Sequence, residues 1–300
     1  MQKRSFEKIY NILCEIDCRF KESNPVIHRQ KRQEDGTFYN VWTIDTQTNK
    51  YVLKKTEERE AKTYNDFADS LKLCAPELYA VKSINGETYI LTEYIDGTDL
   101  CKCNRIALKS CLDTLIRVQK ATWGNDSIYG YTFSESLEDR KRRGTYLNDS
   151  TLEKAYSEFL KKYQTVPLAF CHDDFLPFNT LISRTNGKAY FIDLAYAGIL
   201  PYPVSFARLI AHCENDENAL FFMSDSDKTF AIDYYYENLL KDKNISRDEW
   251  LNTLDYFLFF EYCEWVAIGN KYGKDESKYF YKYLPVAKRQ AEKILKKQSI

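Results

Sequence analysis

Glycine is scarce: ten in 300 residues, with no two spaced as in G-x-G-x-x-G. That excludes a multi-glycine phosphate loop. No apolar run reaches the roughly 18 residues that span a bilayer, and the start, Met1-Gln2-Lys3-Arg4-Ser5-Phe6, enters a charged amphipathic segment unlike a signal peptide. No C-x-x-C pair occurs among the nine cysteines, an odd number, and Cys101 and Cys103 have no histidine nearby. This pattern argues against a zinc site, and reduced thiols in a cytoplasmic protein are expected. The net charge is only −1, so no basic field invites nucleic acid or an anionic membrane. Repeats and low-complexity segments are also missing.

The residues present are 44% hydrophobic and 29% charged, enough for a substantial core in an ordinary globular chain. Phe6, Ile9, Leu13, Ile16 and Phe20 recur at helical spacing, which predicts a helix over 6–20. Strands are predicted at 38–44 and 51–54, a helix at 57–73 ended by Pro76, and strands at 78–83 and 88–94 joined by Asn85-Gly86, a type I′ signal. After Gly97 the pattern changes. Helices are predicted at 104–122 and 151–164, separated by a charged stretch broken by Gly124, Gly130 and Gly144. Strands return at 167–170, 180–183 and 189–193, the last two joined by Asn186-Gly187. Helices then run over 204–213, 227–241, 247–271 and 274–297. The first part reads as a small antiparallel sheet and the remainder as mainly helical, an α+β class.

The most specific pattern is His172-Asp173-Asp174-Phe175-Leu176-Pro177-Phe178-Asn179 followed by Phe191-Ile192-Asp193. A lone Asp-x-x-x-x-Asn reads by default as a capped turn. Here a strand follows Asn179, Asn186-Gly187 closes a hairpin, and Asp193 ends the apolar strand 189–192. Together they supply a proton acceptor and two hard oxygen ligands of the kind Mg²⁺ takes. The stretch resembles the catalytic loop and following Ile-Asp of aminoglycoside phosphotransferases and choline kinases.

The resemblance implies a two-lobed protein-kinase-like fold. Residues 1–96 would form a nucleotide-binding lobe with a leading helix, and 97–300 a helical catalytic and substrate-binding lobe. It implies ATP, with GTP as the alternative donor, Mg²⁺, and a hydroxyl on a small molecule as acceptor: an aminoglycoside, choline or another amino alcohol, or a sugar-like metabolite. Asp174 would accept or orient the hydroxyl proton, His172 would order the loop, and Asn179 and Asp193 would hold metal. Lys54, ending Tyr51-Val52-Leu53, resembles the strand lysine that meets the phosphates, with Lys55 as its competitor. Glu60 in Arg59-Glu60-Ala61 would anchor it, with Glu57 and Glu58 as rivals. The run 90–97 resembles a kinase hinge, with Thr92 at the gate and the Glu93 carbonyl and Ile95 amide reading adenine. Asp35-Gly36-Thr37 stands where a phosphate-covering loop belongs.

Three departures matter. No activation segment is present, which disfavours a protein kinase. Ala195 replaces the glutamate of the I-D-x-E-Y-A-G pattern, and Ser205 replaces an aspartate that braces the catalytic loop. These two losses motivate an alternative reading as a nucleotide-binding pseudokinase. For the acceptor, Glu261, Tyr262 and Trp265 combine carboxylate and aromatic faces suited to an amine, although an aromatic helix face reads more often as packed core. The acidic run 214–217 reads as a solvated loop and the basic stretch 288–297 as an exposed helix face. The oligomeric state is open.

Overall fold

The computed structural model describes residues 2–31, 36–126, 130–274 and 279–297. Helix α1 (Gln2–Ile16) buries Ile9, Ile12 and Leu13 and leaves Lys8 and Asn11 outside. It ends before the expected residue 20 because the Asp17 carboxylate accepts from the Arg19 amide at 2.9 Å and pairs with its guanidinium, forming a local turn. Helix α2 (Phe20–Ser23) then returns Phe20 to the same core, while Phe6 is 47% exposed and lies off the apolar face.

Strands β1 (Val26–Lys31), β2 (Phe38–Asp45) and β3 (Lys50–Thr56) come next, followed by helices α3 (Glu58–Asp66) and α4 (Ala68–Leu71). Strands β4 (Leu78–Ile84) and β5 (Glu87–Glu93) complete an antiparallel sheet ordered β1-β2-β3-β5-β4. Asn85 and Gly86 both have positive φ, 51° and 76°, as a type I′ hairpin requires. Strand β1 was not legible because its residues, Val-Ile-His-Arg-Gln-Lys, lie on a largely exposed edge and show no apolar alternation.

Period-two alternation gives this sheet two faces. Leu53, Leu91, Trp42 and Ile44 pack against α1. Val52 and Lys54 pair with Thr92 and Ile90 and so share the opposite face. The N-terminal part is not a unit with one core of its own. Ala61, Tyr64, Phe67, Leu71 and Ile90 belong to the large core that continues through the C-terminal helices.

Beyond the sheet come β6 (Gly97–Asp99), α5 (Arg105–Thr122), α6 (Phe133–Gly144), α7 (Ser150–Tyr163), β7 (Leu168–His172), β8 (Thr180–Ser183), β9 (Ala189–Phe191) and β10 (Ala197–Pro201). Helices α8 (Pro203–Ala211), α9 (Asp225–Tyr235), α10 (Arg247–Tyr272) and α11 (Phe280–Lys297) finish the chain. The expected start of the last helix, at 274, runs into residues outside the described ones. The chain leaves the first sheet after Glu93 and enters a second one at Gly97, where β6 pairs with β8, which in turn pairs with β9. The missed α6 carries a capping box in which Thr132 and Glu135 satisfy each other's amides, and that T-x-x-E signal stood in the sequence. β10, also missed, pairs antiparallel with β7 and sets Ala197 opposite His172, where the 172–179 motif begins. All nine cysteines are free, and among the described residues no helix is long and apolar enough to cross a membrane.

Gly198 of β10 lies against the Tyr131 backbone, where a β-carbon would overlap the Tyr131 carbonyl oxygen. Gly198→Ala is therefore expected to lower stability by about 1–3 kcal/mol, read as a reduced urea midpoint. An unchanged midpoint would contradict this close approach.

Candidate active site

The face of β3 selects the lysine. Lys54 Nζ lies 2.7 Å from Glu60 Oε2 and 2.6 Å from Asp193 Oδ1. Lys55 points to the other face and pairs with Glu87 at 2.5 Å. Glu60 is 1% exposed and its Oε1 accepts from the Leu194 amide at 3.1 Å, whereas Glu57 and Glu58 are exposed at the start of α3. Burial alone would push the Lys54 ammonium down, but Glu60 and Asp193 outweigh it and hold it above its ordinary value. For Asp193 burial pushes the carboxyl up, and Lys54 outweighs that and holds it down.

Asp193 has φ 61° and ψ 56°, a left-handed conformation uncommon outside glycine. Both flanks are pinned. Before it, the Ile192 amide donates to Asn179 O at 3.0 Å, and the Ile192 carbonyl faces His172 Nε2 at 2.9 Å. After it, Glu60 holds Leu194 and the Tyr196 carbonyl accepts from the Asp173 amide at 2.9 Å. His172 Nδ1 accepts from the Asp174 amide at 3.2 Å, so Nε2 carries the proton and donates to Ile192. His172 thus ties the loop to the strand that delivers Asp193. Ser205 braces the loop from α8: it accepts from the His172 amide at 2.8 Å and faces the His172 carbonyl at 3.3 Å. An ionised aspartate could make only the first of these bonds.

Asn179 donates to the Asp174 carbonyl at 2.7 Å and to its Oδ2 at 3.3 Å. Its amide nitrogen is thereby used, and its oxygen is the hard donor a cation would take. Among the described residues no group of three or more His, Cys, Asp or Glu could cage a metal. One carboxylate and one amide oxygen, completed by phosphate and water, nevertheless fit the coordination habit of Mg²⁺.

The hinge stretch leaves the sheet after β5. Thr92 is buried on the Lys54 face. The Glu93 amide donates to Glu77 O at 2.8 Å and the Tyr94 amide to Lys50 O at 3.4 Å, bonds that use neither the Glu93 carbonyl nor the Ile95 amide. Ile95 is 8% exposed. Gly36 turns at φ 69° with nothing within 4 Å of a would-be β-carbon. Asp35 lies outside the described residues.

The expected acceptor carboxylate needs correcting. Glu261 is 1% exposed, and its Oε2 is already paired with Arg208 Nη1 at 2.8 Å and His212 Nε2 at 3.2 Å. An internal cation fills the role foreseen for an ammonium. Tyr262 and Trp265 remain half-buried and gather with Tyr279 and Tyr283: Tyr262 stacks on Tyr283 at 5.7 Å, and Trp265 meets Tyr279 at 4.5 Å. Lys282 lies 5.2 Å over Tyr283 and bonds Glu214 at 2.6 Å, so the acidic run is anchored at this residue. Sequence reading also missed a buried pair beside the loop: Asp173 takes Arg140 in a two-pronged contact at 2.5 and 3.1 Å. Burial would push the Asp173 carboxyl up, and Arg140 overrides it and holds it down. The available signal for Arg208 was a lone arginine inside an apolar helix, a residue type seldom buried without partners.

The sequence profile of the phosphotransferase enzyme family (APH) matches residues 29–222. No curated protein sequence matches. Among solved structures, the choline kinase LicA from Streptococcus pneumoniae superposes with a TM-score of 0.62 at 13% identity, over 97% of this chain and 99% of that one. A choline/ethanolamine kinase family protein from Mesorhizobium loti gives 0.61 at 14% identity, over 97% and 94%. Aminoglycoside phosphotransferase APH(4)-Ia, in a ternary complex with ADP and hygromycin B, gives 0.54 at 13% identity, over 96% and 98%. At these identities the likeness establishes the two-lobed kinase-like fold.

Asp173→Asn would leave the Arg140 guanidinium buried without its counter-ion, at an expected cost of about 3–5 kcal/mol at neutral pH. Because the folded-state carboxyl is held below its unfolded value, the wild-type advantage is full above about pH 4. It shrinks as pH falls through the lowered value. Urea unfolding of both proteins across this range checks the sign, and a difference that grows on acidification would contradict it.

Proposed function

The chain belongs to the phosphotransferase enzyme family, and from that premise we propose that it transfers the γ-phosphoryl group of ATP to a hydroxyl of a small molecule in the presence of Mg²⁺. The observation that carries this reading is Lys54 held between Glu60 and Asp193, with Asp174 and Asn179 tied beside Asp193 through the Ile192 bonds. Residues 1–96 serve as the nucleotide-binding lobe and 97–300 as the catalytic and acceptor lobe. The purine lies against the hinge, with Thr92 behind it and the Glu93 carbonyl and Ile95 amide at its edge; GTP is the alternative donor.

Lys54 is shared with phosphate oxygens when nucleotide enters. Asn179 and Asp193 would hold Mg²⁺, which when bound neutralises phosphate charge. Asp174 orients the acceptor hydroxyl. The acceptor oxygen bonds to the γ-phosphorus as the bond to the β–γ bridging oxygen breaks. ADP leaves with that electron pair, and the hydroxyl proton passes to Asp174. Tyr262 and Trp265 present aromatic faces on the acceptor side, which favours an amino alcohol or aminoglycoside over a neutral sugar.

ADP release with Mg²⁺-ATP is the test, run against aminoglycosides, choline, ethanolamine and simple sugars for wild type and Asp174→Asn. The expected outcome is turnover with one acceptor class in wild type and a loss of about 10²–10⁴-fold in kcat in the variant, with nucleotide binding kept. Equal turnover in the two proteins would contradict the role given to Asp174. Silence with every acceptor, despite nucleotide binding, would favour the pseudokinase reading that Ala195 motivates.

A further inference from the structure

We propose that Arg208 is a positioning residue that fixes the Asp174 carboxylate and ties its orientation to α10. This rests on the reading of Asp174 as the partner of the acceptor hydroxyl. From α8, Arg208 donates through Nη2 to Asp174 Oδ1 at 3.0 Å and through Nη1 to Glu261 Oε2 at 2.8 Å, and it also pairs with Glu264. The two glutamate side chains are 2% and 9% exposed, whereas that of Asp174 is 34% exposed.

The asymmetry of the contacts carries the argument. Asn179 grips the Asp174 backbone carbonyl at 2.7 Å and reaches the carboxylate only at 3.3 Å. The strong, charge-assisted partner of the carboxylate is therefore Arg208. With Oδ1 committed to the guanidinium, Oδ2 is the oxygen that meets the hydroxyl.

Arg208 is itself held. Glu264 also pairs with Arg143 from α6, and Glu261 also takes His212, one turn beyond Arg208 on the α8 side. The Trp265 indole N–H can only donate, and it reaches His212 Nδ1 at 3.4 Å, so the imidazole proton sits on Nε2 and goes to Glu261. A continuous set of hydrogen bonds thus joins Trp265 to Asp174 through His212, Glu261 and Arg208. A planar fork can serve carboxylates on two elements at once, and a lysine ammonium cannot match that geometry.

The test follows ADP release from Mg²⁺-ATP with water as the acceptor, in full-length wild type, Arg208→Ala, Arg208→Lys and Asp174→Asn. The expected results are a fall in kcat of about 10–100-fold in both Arg208 variants, with KM for ATP unchanged. Added methylguanidinium should recover part of the lost kcat in Arg208→Ala but none in Asp174→Asn. A purely structural arginine would give neither the split nor the rescue. If Arg208→Ala fails to fold because two glutamates are left unpaired, the triple variant Arg208→Ala/Glu261→Gln/Glu264→Gln removes those charges and must show the same split and rescue. Wild-type kcat in a folded Arg208→Ala, with Asp174→Asn inactive, would overturn this proposal and leave the role of Asp174 standing. An active Asp174→Asn would overturn that role itself.

Discussion

One ammonium joins the two parts of this molecule. Lys54 comes from the sheet, Glu60 from the helix behind it and Asp193 from the far side of the cleft, and all three meet within 2.7 Å contacts. A partly buried lysine with one acidic partner would gain little, but two partners at hydrogen-bonding distance compensate its desolvation. The geometry constrains much else. It sets which face of β3 looks into the cleft, fixes the first turn of α3, and requires the left-handed turn at Asp193 that the Leu194–Glu60 bond then secures. A strained residue pinned on both sides, at a point where two lobes meet, is the kind of feature that marks a functional site.

The loop from His172 to Asn179 is held by hydrogen bonds and one ion pair at its start. His172 links it to Ile192, Ser205 holds its backbone from below, and the Asp173–Arg140 pair anchors it in the core. They converge on two consecutive residues, His172 and Asp173, immediately before Asp174. Preorganisation of this sort is what phosphoryl transfer asks of a protein, because positioning and charge stabilisation supply most of the catalysis. Ser205 shows that a neutral side chain can fill the brace by using both its donor and its acceptor, which removes one of the two motives for an inactive reading.

What could be read from the sequence was local. The residues of the ion cluster stand at strand ends and a helix start, where short patterns specify their direction, and Lys54 and Glu60 meet as expected. Strand β1 was hidden by its exposed, polar edge position, and α6 by its charge, although its capping box was present. The arginines were illegible for a different reason. Arg208 and Glu261 lie 53 positions apart, and no pattern in either helix announces the other. That is why Glu261 was expected to await an ammonium that Arg208 already supplies. The placement of α3 and α4 in the large C-terminal core is likewise a tertiary fact that periodicity alone cannot give.

The central claim is that Lys54, Asp193 and Asn179 together form a site for a metal–nucleotide complex. Its most direct test is the thermal stabilisation of wild type and Asp193→Ala by ATP, measured with Mg²⁺ and with the metal chelated. Ligand binding to the folded state raises the melting temperature by an amount that grows with the logarithm of its affinity. The account predicts a clear rise for wild type that needs Mg²⁺, and a variant whose smaller response no longer depends on the metal. Equal, Mg²⁺-dependent stabilisation of both proteins would contradict it.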